Sequence, residues 1–454
     1  MTLKRINRVQ IGKIDAVVGS TAWDLSEAYA PADMVGNTYT DLEITSATTM
    51  EFTREQIAIT GQRGDGETPA GVSGNKDASP SLAFYMRGLD LSGGAANAVN
   101  ASTAAPQYDM LIEQATGGTK RNIQGEDVIA GSTRWVLQFG AGRVAAVGYA
   151  IGDVVGWVNT AGKMETAPVV AIEADGADTI RLAGDSAANM TGGFSTAPQN
   201  GDDIYGMRTY PIDQTAGERA HITVHGRLAD SGIDRLFQGC MGSVAFSDAD
   251  GLLLATYSAQ AQTWTADQNA AGAPTFGTFT APNLGPVSTR GARVLICADD
   301  CWGVDGSGNF TPGATTGVAV ATAISAGFDT ATDVQPRTAA TGTNGRQGFV
   351  AVQNNCTTEM RLYHDGTTAE LLASGSQTFG DGAALSFQNN QVFAVLMQFG
   401  DTPGNTVVIE IPAAQCNTTI GEEGGLATLE MSGRGYRPTH GTATARIHLL
   451  RAKR

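Results

Sequence analysis

With 454 residues, 42% of them hydrophobic, the chain is long enough for two or three domains and apolar enough to fill their cores, which excludes a disordered protein. Its formal net charge is −16; eight of the 29 basic residues (Lys4, Arg5, Arg8, Lys13, Arg446, Arg451, Lys453 and Arg454) sit at the two ends, leaving 21 against 45 acids between them. A body so acidic repels phosphate, which argues against a nucleic-acid coat or sequence reader, and five cysteines without a repeated spacing exclude a disulfide scaffold.

Charged residues are only 16% of the chain, while glycine numbers 58. Glycine supplies the positive φ of tight turns, so many short strands are expected. Scarce charge also suits surfaces that meet other protein surfaces, where desolvating a charge is costly. The opening MTLKRINRVQIGK is basic but leads into no apolar stretch, and no run reaches the length of a membrane span. Neither a signal peptide nor a membrane partner is expected, and folding in a reducing cytoplasm is.

In chain order, the first clear strand is residues 81–87, where Leu82, Phe84 and Met86 alternate with Ser81, Ala83, Tyr85 and Arg87. Residues 106–118 place Pro106 at a first helical position and Gly117-Gly118 past the end, with Tyr108, Leu111, Ile112 and Ala115 on one face: a helix. Trp135, Leu137 and Phe139 alternate again. Residues from about 145 to 210 are expected to be an inserted small barrel, framed by Gly152-Asp153 and Gly201-Asp202 and removable without loss of the remainder. Within it, 169–173 and 178–182 form short strands around Ala174-Asp175-Gly176.

Residues 231–240 carry Ile233, Leu236, Phe237 and Cys240 at helical spacing, a second helix that Gly239 and the following strand oppose. Residues 244–257 predict a hairpin turning at Asp250-Gly251. The Ala/Gly/Pro/Asn-rich stretch from 265 to 290 suits a linker or an ordered extended loop, and 330–345 is another long polar stretch. Val407, Ile409 and Ile411 mark a late strand.

Catalytic signatures are missing: no G-x-S-x-G elbow, no phosphate-binding G-x-x-x-x-G-K-[ST] loop, no H-E-x-x-H. His221 and His225 lack a third ligand and are expected to be ordinary surface histidines. Cys297 and Cys301 have no second pair and are expected to be buried thiols. Asp305, Ser307 and Asn309 begin like a calcium loop, but Phe310 stands where glycine is needed and Thr316 where the bidentate glutamate belongs. The adjacent pairs Glu422-Glu423 and Asp299-Asp300 show no convergence of the kind glycosidases use. No enzyme activity, metal or cofactor is expected.

Several phrases taken in order resemble the major tail tube proteins of long-tailed, siphovirus-type bacteriophages. They are Gly71-Val72-Ser73-Gly74 with the strand at 81–87, the helix at 106–118, Gly239-Cys240-Met241-Gly242-Ser243 with the hairpin turning at Asp250-Gly251 and a strand ending near Trp264, and finally 407–415, 421–425 and 443–450. The resemblance implies a mainly β, tail-tube-like β-sandwich or barrel subunit with one flanking helix and the inserted small β-barrel. Residues 1–270 would form a tube-like domain, and 285–454 a second β region completing or duplicating it. The subunit would be a virion protein assembled in the host cytoplasm, partnered by itself in hexameric or pseudo-hexameric trimeric stacked rings and by other tail proteins. Its lumen would pass DNA without binding it by sequence. Extended loops and termini clasp neighbouring rings in that family, which makes Lys4, Arg5, Arg8, Arg451, Lys453 and Arg454 the expected inter-ring contacts. The competing expectations are a capsid decoration or receptor-binding fibre, and a polysaccharide-active enzyme.

Overall fold

The computed structural model describes residues 6–13, 39–57, 72–89, 106–118, 120–173, 178–183, 194–212, 219, 221–228, 233–267, 276, 279, 284–298, 318–343, 346–363, 378–379, 383–384, 392–435 and 443–450. They are mainly β. The chain opens with β1 (Ile6–Lys13), β2 (Tyr39–Leu42), β3 (Thr49–Ile57) and β4 (Val72–Tyr85), then helix α1 (Asp109–Thr116) and β5 (Arg121–Asn122). Next come β6 (Glu126–Asp127), β7 (Val136–Gln138), the short helix α2 (Arg143–Val147), β8 (Val154–Val158), β9 (Met164–Glu173), β10 (Thr179–Leu182) and β11 (Asp203–Tyr205). The chain continues through β12 (Met207–Pro211), β13 (Ile222–Leu228), β14 (Asp234–Ala249), β15 (Leu252–Gln260) and β16 (Thr263–Asp267). The last part holds β17 (Ala292–Ala298), β18 (Val318–Asp329), β19 (Thr332–Thr343), β20 (Arg346–Asn354), β21 (Thr357–Tyr363), the two-residue strands β22 (Thr378–Phe379) and β23 (Ala383–Ala384), β24 (Val392–Thr402), β25 (Asn405–Glu423), β26 (Leu426–Gly435) and β27 (Arg446–Leu450).

Helix α1 forms where the Pro106 and Gly117 punctuation places it, and Gly117 closes it at φ 73 with its N–H on the Glu113 carbonyl. It is then clamped by polar contacts rather than by apolar packing alone. Asp109 accepts from the Tyr210 hydroxyl (2.5 Å) and pairs with Arg208 (2.7 Å) and Lys120 (3.0 Å), while the Gln114 amide oxygen accepts from the Tyr257 hydroxyl (2.7 Å) and Gly242 N–H.

The second helix expected at 231–240 is instead the first half of β14. That half is flanked by β13 and β16, with Val224 and Trp264 both opposite Phe237, and both of its faces are buried. An apolar run buried on two faces carries no period that separates strand from helix. Beyond it the hairpin is as expected: Ala249 faces Leu252, and Asp250 (φ 58) with Gly251 (φ 83) form the two-residue primed turn that matches strand twist. The polar stretch at 330–345 also holds a strand, β19 (Thr332–Thr343), paired with β20.

Eight strands run side by side in the order β3–β4–β15–β14–β18–β21–β26–β25. Their buried face is a matched row across the register: Met50, Pro80, Leu82, Tyr257, Val244, Phe246, Phe328, Thr358, Met360, Met431 and Leu429. Strands β18 and β25 are long enough to turn into a second layer, in which β17, β24, the first half of β25, β27, β12 and β5 follow one another. The pairings β17–β18–β21–β26–β25–β24 therefore close on themselves. One hydrophobic cluster lines this space and continues beneath α1, drawing residues from Val9 to Leu449.

The inserted sheet has the order β6–β11–β8–β9–β10–β7, and the Ile129 N–H donates to the Gln138 carbonyl (2.8 Å) to bring its two ends together. Its strands run from Glu126 to Tyr205, so it starts ahead of residue 145, and β12 just after it belongs to the larger sheet. The framing phrases are equivalent turns: Asp153 accepts from Ala150 N–H (2.6 Å) and Asp202 from Gln199 N–H (2.7 Å). Trp157 in β8 donates to Asp202, tying one phrase to the other.

This small barrel is pressed onto the second layer. Along β24, Val395, Met397 and Phe399 face the main core while Ala394 and Leu396 face the insert; Leu295, Val408 and Leu450 do the same from β17, β25 and β27. Gly156 marks the closest approach, since a Cβ there would overlap the Leu450 side chain and the Met164 sulfur.

Candidate assembly surfaces and the buried junction

Of the six basic residues expected at inter-ring contacts, Arg8 lies within the described residues, while Lys4, Arg5, Arg451, Lys453 and Arg454 lie outside them. Arg8 on β1 is engaged within its own chain, paired with Asp41 (3.1 Å) and lying over the Phe276 ring (4.8 Å). Arg227 covers the same ring at 4.7 Å, and His225 stacks on it at 4.4 Å. Phe276, from the Ala/Gly/Pro-rich stretch, thus meets two cations and an imidazole ring on β1 and β13.

Arg446 also departs from expectation. Grouped on sequence grounds with the basic residues of the chain end, it is part of a buried junction between the small barrel and the second layer. Glu410 of β25, wholly buried, pairs with Arg446 (3.0 Å) and lies 3.3 Å from His448 Nε2; His448 Nδ1 lies 2.9 Å from the Thr209 hydroxyl. On the insert's side, Asp153 pairs with Arg121 (2.7 Å), and the Arg446 guanidinium packs on Gly152. Desolvation pushes His448 below the usual imidazole range and Asp153 up to about 6, against the pull of Arg121; the Arg446 charge and the His448 hydrogen bond outweigh desolvation at Glu410 and hold it low. A neutral amide completes the junction. Gln398 of β24 accepts from Thr166 N–H (3.0 Å) and hydroxyl (2.8 Å) and donates to the Met164 (2.7 Å) and Gly400 (3.0 Å) carbonyls.

His221 and His225 are buried, not surface, residues. The Phe349 N–H donates to His221 Nε2 (3.3 Å), and desolvation lowers His221 to about 3. His225 lies 3.6 Å from Asp234 and is lowered as well, desolvation outweighing that carboxylate. No group of three histidine, cysteine or acidic side chains fit for a metal occurs among the described residues. Cys301 and the Asp305–Asn309 segment lie outside them, and Cys240, Cys356 and Cys416 are buried free thiols with raised pKa, desolvation leading in each.

Two surfaces are open. The eight-stranded sheet turns its second face outward, on the side of the core away from the small barrel. It presents small polar residues such as Ser79, Ser258, Thr256, Ser243, Thr357 and Ser432. Charges on that face are Glu51, Asp77, Asp329, Glu359, Glu423 and Glu430 against Arg361 and Arg434, and Arg361 is held by Glu430 (2.5 Å) and Glu423 (3.0 Å). Its outer strands, β3 and residues 416–423 of β25, pair on one side only among the described residues. The second surface is the end of the β25–β26 hairpin, turning at Gly424-Gly425, where Ile420 (65%) and Leu426 (57%) stand exposed beside Glu422 and Glu423.

Among the described residues, no helix is long and apolar enough to cross a membrane. No protein-family model matches the chain, and none of the curated proteins compared with it does.

Proposed function

We propose that this chain is a structural virion protein, the subunit of a phage tail tube, which polymerises into a hollow conduit for the genome. The observation that carries the reading is the continuous eight-stranded sheet, with one face on the core, one face open, polar and predominantly acidic, and outer strands that pair on one side only among the described residues. Exposed edges drive association, and an acidic wall lets a polyanion pass without sticking.

Strand spacing sets the ring size. Eight strands about 4.8 Å apart and tilted by about 40° contribute about 50 Å of circumference per copy. Three copies then give a backbone diameter of about 48 Å and, after about 5 Å of side chain on each side, a bore near 38 Å. Two copies leave a bore of about 20 Å, no wider than a DNA duplex of about that diameter. The reading is therefore a trimer of pseudo-hexameric character, the β3 edge of one copy beside the β25 edge of the next, with the small barrel outside. It is assembled in the host cytoplasm and joined by other tail proteins.

Negative-stain microscopy of concentrated purified protein tests it. Tubes of constant diameter with an open bore are expected. A strictly monomeric protein at all concentrations and salts overturns the reading, and compact trimers that never stack would favour a capsid decoration or fibre.

A further inference from the structure

We infer that the end of the β25–β26 hairpin is the docking surface for the basic run Arg451, Lys453, Arg454 of a second copy in the adjoining ring. The inference rests on the tube reading. Its starting point is the placement of the two partners on one strand. Strand β27 pairs with the first part of β25, Arg446 opposite Glu410 and Leu450 opposite Thr406, so β27 ends beside the start of β25. The hairpin turn lies beyond Glu423 at the strand's other end, seventeen residues from Thr406, about 55 Å along the strand at about 3.3 Å per residue and still about 40 Å in space after a right-angled turn between the layers. The basic run of four residues spans at most about 14 Å and cannot reach its own chain's hairpin end. Copies arranged head to tail bring the two together.

The surfaces are complementary in charge. The hairpin end carries exposed Ile420 with Glu422 on one face and exposed Leu426 with Glu423 on the other, and Arg361, the cation beside Glu423, is already engaged by Glu423 and Glu430. The incoming run has three cations and no acid, enough to straddle the turn, a stem lying on the apolar side chain of each face while its charged end reaches the carboxylate of that face. A contact of one end with the other, never of like with like, propagates without closing.

Charge exchange tests this. One variant carries Glu422→Lys and Glu423→Lys, a second carries Arg451→Glu, Lys453→Glu and Arg454→Glu, and a third carries all five. Critical concentration for polymerisation is read by sedimentation and polymer length by microscopy, with circular dichroism melting to confirm folding. Each single-sided variant is expected to raise the critical concentration by about tenfold at low salt, an effect that shrinks at high salt, and the combined variant to recover most of the loss. An unchanged critical concentration in either single-sided variant, or no recovery in the combined one, overturns the assignment. Should Glu423→Lys disturb Arg361, Glu422→Lys alone with Arg451→Glu serves as the second exchange, judged by the same recovery. Failure of the wild type to polymerise at all would instead defeat the tube reading itself.

Discussion

Asp153→Asn isolates the electrostatics of the buried junction. The Asp153 side chain is 2% exposed, and its pKa is raised from 3.8 to about 6, desolvation outweighing Arg121. A carboxyl raised in the folded state binds its proton more tightly there than in the unfolded chain. Its contribution is therefore favourable at low pH and is lost as pH rises from about 3.8 to about 6, by about 3 kcal/mol in all. Between pH 5 and 7.5 the same linkage gives a change of about 1.4 kcal/mol. Asparagine retains an oxygen for the Ala150 N–H but does not titrate. The variant should thus gain about that amount on the wild type as pH rises across the window, whatever its offset at pH 5 from the weakened Arg121 contact. Urea unfolding followed by tryptophan emission, which includes buried Trp157 of the small barrel, reads the difference at each pH. A difference that is flat with pH, or that moves against the variant as pH rises, would show that Arg121 and its neighbours stabilise the anion more than burial penalises it, and would refute the reasoning.

Gln398→Leu is nearly isosteric, yet strips four hydrogen bonds from the junction, leaving the Thr166 N–H and Met164 carbonyl without it; a loss of about 2–4 kcal/mol in urea unfolding is expected. Replacing residues 126–205 by a short Gly/Ser bridge should yield insoluble protein, because Leu295, Ala394, Leu396, Val408 and Leu450 would then face water; soluble, assembling protein would show that the second layer stands without its cover.

The sequence carried the β class, α1 and the Asp250-Gly251 hairpin because each rests on local physics: alternation, Pro and Gly at helix ends, and a turn whose dihedrals few residues tolerate. The small barrel was legible from its two Gly-Asp turns, which recur because each aspartate caps the same backbone amide. Its attachment was not, since Leu396 or Val408 reads as one more apolar residue in a continuous run, and only the three-dimensional layering reveals that alternate residues serve different cores. Arg446 misled for a related reason. Proximity to the chain end grouped it with the terminal cations, whereas its place in Arg446-Ile447-His448-Leu449-Leu450, a strand paired on both sides, buries it. The histidines at 221 and 225 show the limit from the other direction, since nothing local states whether a polar residue on a strand faces water.

Strand β25 has a mechanical meaning beyond its topology. Its first part is hydrogen-bonded to β24 and β27 and its second part to β26, so one uninterrupted backbone runs from the end where β27 terminates to the hairpin turn. In a stack of the proposed kind, a pull along the tube axis enters each subunit at one end of this strand and leaves at the other. The ladder bonds beside it are then loaded in shear and must yield together, whereas the same bonds pulled sideways would open one at a time. In such a stack the strand would work as a tie rod, letting the tube flex at the contacts between rings while each ring keeps its length.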